Sequence, residues 1–149
     1  MLNAAGTLAL WEGLTVGSGV LLALIWGRRT GWSCGGLITP GLLALSAGSP
    51  LRVGGSLLAG VLLTPVLALL SRVFGLYGRE RVGAAMLLSL AARLVLLPWV
   101  PAASWIGWIV PGLVAADAER QGVVMTLCGA VSCAVAASFA TGLLRGVLG

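Results

Sequence analysis

Residues 36–44 read "GLITPGLLA" and residues 107–115 read "GWIVPGLVA". Laid over each other they share Gly, Ile, Pro, Gly, Leu and Ala in register, at an offset of 71 (Pro111 minus Pro40). Proline removes a backbone donor and glycine adds backbone freedom, so the pair suits a helix interior badly. Its appearance twice, amid apolar residues, makes the surroundings of the two motifs decisive for the fold.

Those surroundings are greasy. Of the 149 residues 59% are hydrophobic and only 9% charged, and the mean hydropathy is +1.08. A soluble domain carries about 25% charged residues. There is too little polar surface to coat a water-soluble globule, which leaves an integral membrane protein. The first arginine is Arg28, and without a basic stretch ahead of it the first apolar run is expected to be a retained span. The net charge of +5 comes from nine arginines and no lysine. They sit at the ends of apolar runs, which reads as topology and contact with lipid headgroups; no nucleic-acid partner is expected.

Four apolar runs, 7–27, 51–73, 82–100 and 122–148, are each near the roughly 20 residues that a spanning helix needs. Segments 33–49 and 103–117 hold the two Pro-Gly pairs and are shorter. The basic clusters lie at 27–29, 72–81 and 117–122. If all three are on the cytoplasmic side, both Pro-Gly segments must cross the membrane, and two halves of opposite orientation result. The expected fold is an all-α membrane protein: one transmembrane domain, 1–149, built as a small helix bundle. It has four long spans plus two short Pro-Gly-broken segments, arranged as an internal, inverted repeat with halves of about 1–75 and 76–149. Arg52 and Arg145 would then lie on the outer side. The competing arrangement makes the short segments re-entrant and the halves parallel.

The acids are Glu12, Glu80, Asp117 and Glu119, and there is no histidine. No Ser/His/Asp set, Cys/His pair or phosphate loop is present, so the chain is expected to have no catalytic set of its own. Cys34, Cys128 and Cys133, odd in number and without histidine, read as small apolar fillers, with no metal site. Arg93 falls within the third long run, where a charge costs about 2.5–3.5 kcal/mol on insertion scales. It reads as an anion-binding residue together with Arg28 and Arg29, or as an arginine paired with Glu12. Arg79, Arg81, Asp117, Glu119, Arg120 and Gln121 read as a docking surface for a soluble partner, or else as solvated loops. The six tryptophans, 11, 26, 32, 99, 105 and 108, mostly flank the runs, as interfacial belts do.

In order along the chain stand "RRTGWSCGGLITPGLLAL" (28–45), "LYGRERVGAAML" (76–87) and "IGWIVPGLVAADAERQG" (106–122). This series resembles CapC/PgsC, the membrane subunit of bacterial poly-γ-glutamate synthase, over nearly the whole chain. The matched positions are Thr30, Gly31, Pro40, Gly41, Tyr77, Gly78, Arg79, Pro111, Gly112 and Gln121, with a basic residue at Arg93. The resemblance implies a non-catalytic subunit in the bacterial cytoplasmic membrane, in a homo- or hetero-oligomer with a CapB/PgsB-like ligase and a CapA/PgsA-like subunit. ATP and Mg would be bound by the ligase, with no cofactor in this chain. A stand-alone transporter or flippase for an anionic solute is the alternative, and a structural scaffold with Pro-Gly used for packing is the third.

Overall fold

The computed structural model describes residues 4–96, 98–99 and 106–148. Trp105, and the parts of runs 82–100 and 103–117 at 97, 100 and 103–105, lie outside them. All regular structure among the described residues is helical: α1 (Ala4–Thr30), α2 (Thr39–Leu45), α3 (Pro50–Phe74), α4 (Arg79–Leu96), α5 (Ile109–Gln121) and α6 (Val123–Leu148). Three of these, α1, α3 and α6, are long and apolar enough to cross a membrane. Four were expected. The shortfall is α4, whose 18 residues include Arg79, Glu80, Arg81 and Arg93.

Burial is inside out relative to a soluble protein. The buried positions are mostly small, such as Ala23, Ser56, Ala85, Ala115, Thr126 and Ala137, while Leu21, Leu58, Leu62, Leu69 and Phe139 are exposed. Lipid is as apolar as leucine, so in a membrane large side chains gain little by turning inward, and close backbone contact between small residues holds helices together.

Both Pro-Gly pairs are buried, yet neither breaks a helix. Pro40 stands in the first turn of α2 and Pro111 in the first turn of α5, where the backbone N–H has no intrahelical acceptor to lose. The interruption lies upstream, at Gly36 (φ 98°) and Gly107 (φ 84°), which occupy the same place in the two motifs. Each short helix is reached by non-helical chain, and at about 1.5 Å per residue neither alone spans a bilayer. The expectation of Pro-Gly-broken segments is therefore corrected: the glycines before the proline turn the chain, and Pro-Gly starts the helix.

The glycine of each pair lets two backbones meet. A methyl group placed on Gly41 would lie 2.8 Å from the Val16 Cα of α1, and one on Gly112 would lie 3.1 Å from the Met86 Cα of α4. Gly60 of α3 in turn leaves room for Val114 of α5. The main contacts group the helices into two units. In one, α2 packs on α1 and on α6; in the other, α5 packs on α4 and on α3. Each short helix thus touches the first helix of its own half and the last helix of the other half. The units meet along α5 and α6 and through a core of Leu43, Val110, Val114, Ala130 and Ala134.

Candidate functional site

Helix α5 continues well past its Pro-Gly, through Ala115 to Gln121, and stops where Gly122 takes φ 100° and donates to the Ala118 carbonyl at 2.9 Å. Residues 117–121 are therefore a helix end and not a solvated loop. Two carboxylates, Asp117 and Glu119, sit where the helix dipole is negative, an unfavourable placement unless each is matched. Each is. Glu119 forms an ion pair with Arg81 of α4 at 2.6 Å, both side chains about a fifth exposed, and accepts the Ser71 hydroxyl of α3 at 3.3 Å. Asp117 accepts the Ser33 hydroxyl and has Arg120 at 3.9 Å on the next turn.

Gln121 makes three hydrogen bonds. Its Oε1 accepts the Ser33 N–H at 2.8 Å, while its Nε2 donates to the Ser33 carbonyl at 2.5 Å and to Thr126 Oγ1 at 3.0 Å. One side-chain amide thereby satisfies both backbone groups of a residue in the non-helical stretch before α2, groups that would be costly to leave unpaired. The Thr126 hydroxyl in turn donates a hydrogen bond to the Gly122 carbonyl at 2.9 Å. The last turn of α5 is thus tied to the α1–α2 connection by residues 117 and 121, and to α3 and α4 by residue 119.

This gathers one end of the bundle: the C-terminal ends of α1, α3 and α5 and the N-terminal ends of α4 and α6. Thr30 finishes α1 here. Its hydroxyl donates to the Trp26 carbonyl at 2.8 Å and accepts the Trp32 N–H at 3.2 Å, and Gly31 follows at φ 75°. Arg28, Arg29, Arg72, Arg79 and Arg120 are all exposed at this end. Between α1 and the chain leading to α2 lies a cleft of about 280 Å³ whose lining includes Arg28, Trp32, Ser33, Leu37 and Arg120. Arg29, one residue on, lines a separate cleft of about 200 Å³ with Trp26 and Ser132.

Arg93 is elsewhere. It is half-buried late in α4, toward the end where Arg145 stacks over the Trp11 ring at 5.4 Å, and it does not join Arg28 and Arg29. Glu12 is exposed on α1, and among the described residues no ion pair links it to Arg93. Ser33, Ser71 and Thr126, which hold the acidic turn, were not singled out from the sequence; a hydroxyl residue inside "RTGWSCGG" was the available sign for Ser33. Cys34 and Cys133 are buried with their sulfurs 3.3 Å apart, and Cys128 is exposed. All three are free thiols, and packing is the role the structure gives the buried two.

A bundle whose long helices are apolar outward, with the ion pairs among the described residues gathered at one end, is a multi-helix integral membrane protein. The sequence profile of the family described as "Capsule biosynthesis CapC" matches residues 18–127, and the chain belongs to this family. It is similar to the "Capsule biosynthesis protein CapC" of Bacillus anthracis, 34% identical over 117 residues covering 73% of this chain and 78% of that one. It is equally similar to the "PGA biosynthesis protein CapC" of Bacillus subtilis (strain 168), 34% identical over 116 residues, 72% of this chain and 78% of the relative. No solved structure matches. The matched stretch contains both Pro-Gly pairs, Arg81 and the whole of 117–121.

Proposed function

We propose that the chain is the membrane subunit of an ATP-dependent poly-γ-glutamate synthase complex in the bacterial cytoplasmic membrane. It anchors a Mur-ligase-like catalytic subunit, which binds the ATP and Mg, at the arginine-rich end, and it serves the anionic polymer on its way across the membrane. A CapA/PgsA-like subunit completes the assembly. The observation that carries this reading is the family membership, whose relatives bear capsule and PGA biosynthesis names, joined to the five arginines exposed at one end. Those arginines orient that end toward the cytoplasm by the positive-inside rule, which is where a soluble ligase and its ATP are found. They also suit an acidic product on electrostatic grounds.

The two halves form an inverted repeat in this reading. Support comes from the exchange of last helices between halves and from Gly36 and Gly107, which take positive φ at matching positions. With α1 running toward the arginine-rich end, the α1–α2 connection and α2 lead away from it. In the second half α4 leads away and α5 returns.

The test is capture of the ligase subunit by this chain in detergent, with polymer synthesis measured in the same membranes. Arg79→Glu, at the exposed start of α4, is expected to lose both while the chain still inserts. Full polymer synthesis by the ligase in cells from which this chain is deleted overturns the proposal.

A further inference from the structure

The cleft beside the end of α1 has a divided character that anchoring a protein does not use. Its floor is apolar and includes Ala23, Leu24 and Leu37. Leu24 and Leu37 are 40% and 51% exposed, so the floor is continuous with the lipid-facing surface of α1. Its rim carries two guanidinium groups from different halves of the chain, Arg28 of α1 and Arg120 of α5. The Asp117 contact holds Arg120 only at 3.9 Å, and its side chain is 56% exposed, so its donors can reach the cleft. Trp32 stands at the same rim, in the position of an interfacial anchor.

We propose that this cleft binds an anionic phospholipid, its phosphodiester headgroup bridging Arg28 and Arg120 and an acyl chain lying over Leu24 and Leu37. Guanidinium groups match phosphate oxygens in geometry as well as charge, and basic pockets between helices at the cytoplasmic face are where anionic headgroups settle. A free polyanion would satisfy the rim and leave the apolar floor uncovered; an amphiphile fits both. The headgroup would add a link between α1 and α5, beside the contacts of Ser33 with Asp117 and Gln121. The site uses two of the five arginines at the end assigned to the ligase, and lipid binding there does not require the ligase to be present.

The experiment therefore uses this chain alone. The purified protein is delipidated in a neutral detergent, and phosphatidylglycerol or phosphatidylcholine is added back. Bound lipid is counted by native mass spectrometry, and the thermal midpoint is followed. About a tenfold preference for phosphatidylglycerol is expected, with a rise in midpoint that phosphatidylcholine does not give. Arg120→Gln, at an exposed position that should not disturb folding, is expected to remove most of the preference, and Arg28→Gln with Arg120→Gln all of it. Arg72→Gln, exposed at the same end but outside the cleft, should keep it. Equal binding of the two lipids, or a preference that survives the double substitution, overturns the proposal. So does displacement of the lipid by soluble poly-γ-glutamate, which would assign the two arginines to the polymer.

Discussion

The segments around Pro40 and Pro111 begin alike and end differently. Each has a glycine at positive φ four residues before the proline, the proline in the first turn, and a glycine pressed against a neighbouring backbone. After the shared Ala44 and Ala115 they part. The first continues "LSAGSP", and α2 stops at Leu45 after 7 residues. The second continues "ADAERQG", whose Ala, Glu, Arg and Gln favour helix, and α5 runs for 13 residues before Gly122 ends it. The duplicated device thus sets where a short helix docks, and the residues after it set what the helix does. One copy only turns the chain back; the other carries a polar turn to the arginine-rich end.

The largest effect should come from the docking glycines, and it should be unequal. A methyl on Gly41 meets Val16 backbone at 2.8 and 2.9 Å, whereas one on Gly112 meets the backbone of Ala85 and Met86 at 3.1 Å. Backbone atoms move only with their helix, so Gly41→Ala is expected to cost about 3 kcal/mol and Gly112→Ala about 1 kcal/mol. Denaturation with SDS, followed by helical circular dichroism, reads both. Equal losses would mean that the two docking sites are not as different in tightness as the structure has them.

An effect smaller than that of Gly41→Ala should distinguish the polar turn, which has no counterpart after α2. Gln121→Ala leaves the Ser33 N–H and carbonyl without their partners, at a cost of about 2 kcal/mol for groups that are partly buried. Gln121→Asn should not rescue it, since the shorter side chain cannot span to Ser33. Protection of the Ser33 amide in hydrogen exchange is the direct readout: it should fall in Gln121→Ala while that of α3 is unchanged. Retained protection at Ser33 would remove Gln121 from its role as the tie.

How much of this was legible follows from the range over which each feature acts. Composition and run length are sums over many residues, and they placed the chain in a membrane and positioned α1, α3 and α6. The register of the two motifs marked equivalent places in the fold, because the same Gly-to-Pro spacing sets the same backbone turn. The polar turn was read as a surface because its acids and Gln121 look solvated from local sequence. What local sequence does not show is Ser33, 84 to 88 residues away, together with Ser71 and Arg81 on helices that only folding brings near. The contact between Cys34 and Cys133, 99 residues apart, was hidden for the same reason. Run 82–100 was expected to span from its length, but Arg79, Glu80 and Arg81 at the start of α4 and Arg93 within it leave the helix short of that character.

The prolines, the most conspicuous letters of the motif, should matter least to stability. Proline inside a helix costs about 3 kcal/mol through a lost hydrogen bond and a clash with the preceding turn. In the first turn neither penalty applies, and what remains is the restriction of the unfolded chain. Pro40→Ala and Pro111→Ala are therefore expected to lower stability by about 0.5 kcal/mol each, and by similar amounts, because the two prolines share a first-turn position. The same SDS titration that separates Gly41→Ala from Gly112→Ala should leave these two almost superimposed on the parent chain. A loss from either proline as large as that from Gly41→Ala would mean that the ring itself is a packing element, and that the motif acts through proline more than through the glycine beside it.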